Sequence, residues 1–423
     1  MIARVAVIGC GWAGCAAALT LAEAGVNVTL FEASRTLGGR ARAVELAGRL
    51  LDNGQHILLG AYAQTLHLIE RLRPAAAQDG LWRLPLTLSQ PPDFSLACPR
   101  LPAPLHLLAG LLGARGLGWR DKLAAARWVY ALLRDTAAPD RLSVSQLTRS
   151  QPETLRRLLW HPLCVSALNT PPEMASARVF RDVIRAAFGG RNHASDLLLP
   201  RHDLTALFPA PAAARLIERG GQVRLACRIT VLDATADAVT LSTRDGATAY
   251  SHVILAVAPQ HLAGLAGATP ALESIVREVS AYRYQPIATG YVQYDRAFRL
   301  AKPLFALADG PAQFVFDRGQ SHGQAGLLAF VASTATNLPA NWLDQAEAQL
   351  FRIAQPGPAQ WRKSIVEKQA GYACIPNLKR PAVRTPHRRM FLAGDYTSGP
   401  YPATLESATL SGVQSARALL EQL

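Results

Sequence analysis

The sequence predicts an α/β fold built on a parallel sheet, and three features near its start carry that prediction. Arg4-Val5-Ala6-Val7-Ile8 is a short apolar run that suits a buried strand. Gly9-Cys10-Gly11-Trp12-Ala13-Gly14 follows at once, with an Ala-rich helical stretch behind it to Ala24. Val28-Thr29-Leu30-Phe31 then makes a second strand that ends in Glu32. Each part has a physical task. Gly9 permits a tight turn, Gly11 lets the backbone approach a pyrophosphate, and Gly14 lets the helix pack close to the strand. The helix N-terminus offers phosphates free N–H groups and a positive dipole end. Glu32, about 20 residues on, is placed to accept hydrogen bonds from ribose hydroxyls. A bare GxGxxG is a weak signal. Strand, turn, helix, second strand and acid in that order make this a Rossmann-type dinucleotide-binding unit rather than a glycine-rich turn.

The later elements extend the same domain. Ala212 to Arg219 reads as a helix stopped by Gly220-Gly221. Gln222 to Leu225, Ala238 to Leu241 and His252 to Val257 read as strands, with Asp245-Gly246 as a hairpin signal between the last two. Met390-Phe391-Leu392-Ala393 is a strand with Gly394-Asp395 at its exit, and a helix from Ala403 to Leu420 closes the chain. Residues 1–73, 203–264 and 383–423 thus form one discontinuous nucleotide-binding domain. Residues 74–202 and 265–382 form an inserted, mixed α+β substrate domain. Within it, Leu105–Leu112 and Lys122–Arg134 are helical in pattern. The first suits a membrane or substrate entrance as well as the domain core; Leu123–Leu133 is expected in the domain core.

Composition narrows the classes. Half of the 423 residues are apolar and 17% are charged, which excludes a disordered chain. No apolar run reaches the roughly 18 residues that span a bilayer. The N-terminus lacks the charged start and cleavage site of a signal peptide, so a cytoplasmic protein is expected. The six cysteines form no CxxC pair, so neither a metal site nor a disulfide framework is expected. A net charge of +14 comes without a basic run or nucleic-acid module, so no nucleic-acid partner is expected. Peripheral contact with an anionic membrane, on the inner face of the cell membrane, and Arg spread over a solvated surface both remain open.

Glu32-Ala33-Ser34-Arg35-Thr36-Leu37-Gly38-Gly39-Arg40 resembles the extension found in the amine oxidase and phytoene desaturase superfamily of flavoproteins. Leu51-Asp52-Asn53-Gly54-Gln55-His56 resembles the segment that passes beside the flavin ring there, and Ala393-Gly394-Asp395-Tyr396-Thr397 resembles the late flavin motif. Asp52 to Tyr62, Pro162-Leu163, Ala167 to Pro172, Leu198 to Leu204 and Pro402 to Glu406 narrow the resemblance to the squalene-associated FAD-dependent desaturases, the hydroxysqualene dehydroxylases. Tyr396, where relatives often have Trp, and Ser407, where they often have Gly, depart from the pattern, as does the stretch between Thr397 and Pro402.

The resemblance implies noncovalent FAD, held by Gly9, Gly11, Trp12, Ala13, Gly14, Glu32, Ala33, Gly39, Arg40, Gly54, Gln55, His56, Ile229, Gly394, Asp395, Ala403, Thr404 and Leu405. It implies reductive loss of the hydroxyl of hydroxysqualene to give squalene, a step toward hopanoids, by hydride delivery from reduced flavin to an allylic cation. The substrate is an apolar C30 terpenoid supplied by a squalene synthase-like enzyme. His56 and Tyr396 are the candidate catalytic residues, ahead of His202 and Asp203. The alternative for His56 is a histidine bonded into its own loop. Tyr62 and Asn169 are candidates for the substrate pocket, although Asn169 in a Thr-Pro-Pro turn also suits a structural role. A carotenoid-type desaturase is the nearest rival. An amine oxidase is disfavoured by the 7% aromatic content. A non-catalytic flavin- or lipid-binding partner is the alternative from another class.

Overall fold

Five parallel strands lie side by side in the order Gln222–Arg224, Asn27–Phe31, Arg4–Ile8, His252–Leu255 and Met390–Leu392. Val7 pairs with Leu30 on one side and Ile254 on the other, so three distant stretches of chain share one sheet. Val5, Ala6 and Val7 are wholly buried, the state expected of a parallel strand covered on both faces. A computed structural model describes residues 3–72, 80–134, 140–189, 193–266 and 269–423 of the chain.

Helix Trp12–Glu23 lies against the sheet and against the closing helix Leu405–Leu420. Small residues make that approach possible. Ala13 and Ala16 face Gly412, where an added Cβ would stand 2.1 Å from the carbonyl oxygen of Ala13. The closing helix begins at Leu405 rather than Ala403, because the Thr404 side chain accepts the N–H of Ser407 and caps it. The hairpin at Asp245-Gly246 joins Val239–Thr243 to Gly246–Tyr250 instead of to the next parallel strand. Those two strands and Val231–Ala234 form a separate antiparallel sheet, and the chain enters the parallel sheet only at His252.

The second half is built on five antiparallel strands in the order Leu304–Ala306, Phe314–Asp317, Leu327–Ala332, Tyr284–Gln293 and Trp361–Tyr372. Helices Leu105–Gly113, Trp119–Arg134, His161–Leu168 and Ala177–Phe188 stand with it. The core placement expected for Leu123–Leu133 holds for one face of the helix, where Trp128 and Val129 pack against buried residues, and is corrected for the other. Only Ala125 and Leu132 of that helix are buried, while Leu123 and Tyr130 face outward. Its apolar residues are spread round the helix, so apolar content alone did not mark the inward face.

The Gly412 contact is a direct test of the helix packing. Gly412→Val should lower the melting temperature, by the equivalent of about 1–3 kcal/mol, because backbone on the facing helix cannot move aside as a side chain can. Gly113→Ala, where an added Cβ meets nothing, should leave it unchanged or slightly raised. Equal melting temperatures for wild type and Gly412→Val would contradict the contact.

Candidate active site

At the carboxyl ends of the parallel strands lies a cavity of about 1090 Å³, in the position where open α/β sheets bind ligands. Its first wall is the glycine turn. Gly9 has φ +106°, and an added Cβ there would sit 2.6 Å from Ala256 O; one on Gly14 would sit 1.9 Å from Gly9 O. Both are needed for packing. Gly11 differs: its Cβ would meet no protein atom, so its backbone faces open space. The Glu32 carboxylate accepts the N–H groups of Cys10 and Ser34, both at 2.8 Å, and also lines the cavity. It braces the turn while presenting its edge to whatever occupies that end.

Gly38 and Gly39 carry the chain through positive φ and deliver Arg40 to the cavity wall. The Arg40 guanidinium donates to Asp395 at 2.6 Å and to Ala370 O at 2.8 Å. Burial works against its charge, but the Asp395 carboxylate outweighs that and raises its pKa. Asn53 donates to Arg40 O and to Glu367, each at 3.1 Å. Residues near 40, 53, 368 and 395 are thereby fixed at one place.

The 52–56 loop hangs from a buried charge pair. Asp52 accepts the Leu204 N–H at 2.8 Å and an Arg318 N–H at 3.1 Å. Arg318 also donates to Gln55 at 2.9 Å and to Gln324 at 2.6 Å, and its guanidinium lies over the Tyr291 ring. The Tyr291 hydroxyl donates to Asp52 O at 2.8 Å. His56 Nδ1 is 2.8 Å from Gly54 O. A carbonyl only accepts, so Nδ1 carries the proton. Burial, aided by Arg40, lowers the His56 pKa, which leaves a neutral ring with a lone pair on Nε2.

The opposite wall is the N-terminus of the closing helix. Ala403, Thr404 and Leu405 line the cavity there, bringing the positive end of the helix dipole to it. Ser407, one of the departures from the family pattern, donates its hydroxyl to Asp395 O at 3.1 Å. Tyr396 is wholly buried and lines the cavity, and its hydroxyl has no hydrogen-bond partner among the described residues. Burial and the neighbouring Asp395 raise its pKa, so the phenol keeps its proton.

Of the residues expected at a cofactor, Gly9, Gly11, Trp12, Ala13, Glu32, Ala33, Gly39, Arg40, Gly54, Gln55, His56, Ile229, Gly394, Asp395, Ala403, Thr404 and Leu405 all line this cavity. Gly14 does not, being packed beneath the turn. Tyr62 and Asn169 line it too. The Asn169 amide is already committed on both sides, donating to Gln285 O at 3.2 Å and accepting the Thr334 N–H at 3.0 Å. Ile287, Phe314, Phe316 and Val331 complete the wall from the antiparallel sheet. The alternation of Phe314 and Phe316 was the one signal in the sequence for them. Nothing marked Arg318. A second, apolar cavity adjoins the first and shares Ile57, Tyr62, Ser166, Ala167, Phe314 and Thr404 with it. Leu86, Leu88, Phe94, Leu159, Ile184 and Leu304 are among its other walls. The six cysteines are buried and free, and among the described residues no cluster of His, Cys, Asp and Glu is placed to hold a metal ion.

A Rossmann-type cradle closed over by an antiparallel sheet, with the last helix aimed at the reacting end, defines a flavin-dependent oxidoreductase. The chain belongs to the flavin containing amine oxidoreductase family, whose model matches residues 12–420. Over 99% of its length it is 27% identical to hydroxysqualene dehydroxylase of Sinorhizobium fredii, covering 99% of that protein. It is 28% identical to the enzyme of the same name from Rhodopseudomonas palustris, covering 99% of both chains. Zeta-carotene desaturase of Synechocystis is also similar, with 25% identity over 99% of this chain and 97% of that one. Among solved structures, cyclohexylamine oxidase of Brevibacterium oxydans shares the fold with a TM-score of 0.66 and 16% identity, covering 100% of this chain and 99% of that one. The resemblance read from residues 52–62 therefore extends from end to end.

Gly11→Val should fold as the wild type does, since its side chain meets no protein atom, yet bind flavin at least about tenfold more weakly by filling the approach to the phosphates. Melting temperature and flavin absorbance of the purified protein check both halves, and a yellow Gly11→Val protein would contradict the placement. A second prediction concerns pH. Burial lowers the pKa values of His56, His161, His252 and His322, the last, beside Arg318, to about 2. The unfolded chain takes up those protons near pH 6.5, so this stability is complete above that pH and is lost as pH falls toward the folded values. Asp52, raised by burial from 3.8, acts with the opposite sign, with stability present below that value and lost as pH rises through its folded pKa. The melting temperature should fall from pH 7 to pH 5, and His322→Asn should flatten the fall. A melting temperature that is level over that range would contradict the neutral state of these histidines.

Proposed function

We propose that the protein uses noncovalently bound FAD to remove the allylic hydroxyl of hydroxysqualene reductively, giving squalene. The observation that carries this reading is the end-to-end similarity to hydroxysqualene dehydroxylases, with 99% of both chains covered. The site is consistent with it. Open space over Gly11, the Glu32 carboxylate at one end, the helix N-terminus at Thr404-Leu405 and the unpartnered Tyr396 hydroxyl at the other suit a flavin dinucleotide. Cys227 lines the cavity, but its N–H is bonded to Glu32 O, which puts it at the ribose end and away from any ring carbon. The adjoining apolar cavity suits a hydrocarbon chain.

Reduced FAD, when bound, supplies the hydride. The protein supplies the rest. Ile287, Phe314, Phe316 and Val331 keep water from an allylic cation, and aromatic faces favour positive charge beside them. In this reading Tyr396, a phenol on the cavity wall whose hydroxyl has no hydrogen-bond partner among the described residues, is the proton donor to the departing oxygen. His56, neutral with Nδ1–H turned to Gly54, can only accept through Nε2. It orients the substrate hydroxyl by taking its hydrogen bond. Both residues were candidates for the acid, and this reading divides the work between them.

Anaerobic reaction of chemically reduced enzyme with hydroxysqualene, followed by gas chromatography, tests the reaction. Squalene should form in proportion to flavin reoxidised, and phytoene should remain unchanged. Conversion of phytoene with hydroxysqualene untouched would instead establish the carotenoid-desaturase alternative, which the similarity to zeta-carotene desaturase keeps in view. Tyr396→Phe should lower kcat by about 100-fold or more with flavin content unchanged. An unchanged kcat would remove Tyr396 from the chemistry.

A further inference from the structure

Helix Leu105–Gly113 buries its less apolar side. His106, Gly110 and Leu111 face inward, while Leu105, Leu108 and Leu112 form an outward stripe, with Leu112 62% exposed. The inward contacts fix that orientation. His106 Nε2 lies 2.9 Å from the Ser195 hydroxyl, and an added Cβ on Gly110 would stand 2.7 Å from Cys98 Sγ. Helix Trp119–Arg134 continues the surface. Trp119, 70% exposed, is joined by Leu123 and Tyr130 along one stripe. Arg120 and Arg134 stack over the Trp119 and Tyr130 rings at 5.5 and 4.7 Å. Residues 100–134 carry six cations (Arg100, Arg115, Arg120, Lys122, Arg127 and Arg134) against the single carboxylate of Asp121.

We propose that this surface docks on an anionic lipid bilayer and is the door through which an apolar substrate reaches the second cavity. Leucines flanked by Trp, Tyr and Arg are the chemistry of a helix lying in a membrane interface. The excess of cations selects the partner. A second copy of this chain would bring six cations against six, whereas anionic head groups neutralise them. No helix among the described residues is long and apolar enough to cross the membrane, so contact is at the surface. One layer of neighbours separates the helix from the cavity: Ser195, the partner of His106, lines it, as does Phe94 on the strand that packs against this helix. The door role rests on the apolar-substrate reading above; the docking does not.

Flotation of the full, flavin-loaded chain with vesicles of phosphatidylglycerol and phosphatidylcholine, against phosphatidylcholine alone, tests the docking. The wild type should float with the anionic vesicles and lose much of that binding in high salt. A Leu105→Gln, Leu108→Gln, Leu112→Gln variant should bind at least about tenfold less, and Arg120→Glu with Arg127→Glu should abolish the preference for phosphatidylglycerol. Both should keep wild-type melting temperature and flavin content. With the substrate embedded in vesicles the leucine variant should turn over more slowly, and with substrate in detergent at the wild-type rate. Wild type that stays in solution, leucine variants that bind as well as wild type, or a wild-type dimer broken by those variants without vesicle binding would each overturn the proposal. Vesicle binding without any conversion of hydroxysqualene would sustain the docking and overturn the reaction assigned above.

Discussion

The buried Asp52–Arg318 pair is the constraint on which the rest of this molecule depends. Its side chains are 3% and 1% exposed, so both charges have left water and the pair persists because hydrogen bonds from its surroundings replace that water. Leu204 N–H, Gln55, Gln324 and the Tyr291 ring supply those partners. They come from separate parts of the chain. The pair therefore does more than stabilise a corner: it ties the end of the Ala43–Asp52 hairpin to the segment that follows strand Phe314–Asp317 of the antiparallel sheet, and residues 53–56 start from that tie. His56 and Gln55 stand at the cavity because Asp52 cannot move.

The site draws its chemistry from the same absence of water. Burial keeps His56 neutral and Tyr396 protonated, which suits the accepting and donating roles proposed for them without a conventional triad. The Arg40–Asp395 pair, at 2.6 Å, closes the ring of segments from the other side. Electrostatic order is thus concentrated along the cofactor half of the cavity. The far half, from Phe314 to Leu304, is almost purely apolar. That division suits a reaction in which a hydrocarbon must be held beside a charged transition state.

Much of this was legible in the chain. The opening strand, glycine turn, helix and Glu32 are local, and local chemistry dictates them. The resemblance carried the distant Gly394-Asp395 and Thr404-Leu405 to the same cavity. What stayed hidden has a common physical cause. Arg318 is one Arg among many, and its meaning comes from Asp52, some 266 positions away. Gly14 was counted both with the packing and with the cofactor, and its tight contact with Gly9 O leaves it the packing alone. The hairpin forms at Asp245-Gly246, but the strand it opens, Gly246–Tyr250, stayed hidden because its alternation is weak and three of its five residues are exposed. Helix Trp119–Arg134 looked like core by its apolar count, but the face that packs inward is chosen by its neighbours.

A double-mutant cycle on the Asp52–Arg318 pair tests the central claim most directly. Asp52→Asn, Arg318→Met and the double variant would be compared by denaturant unfolding and by the flavin absorbance spectrum. Each single change should cost about 3–5 kcal/mol, because the remaining partner is left buried and unpaired. The double variant should cost less than the sum by at least about 0.5 kcal/mol, and the flavin spectrum should shift in every variant as the 53–56 loop loosens. Additive costs with an unchanged spectrum would show that the pair neither couples the hairpin to the antiparallel sheet nor positions the loop.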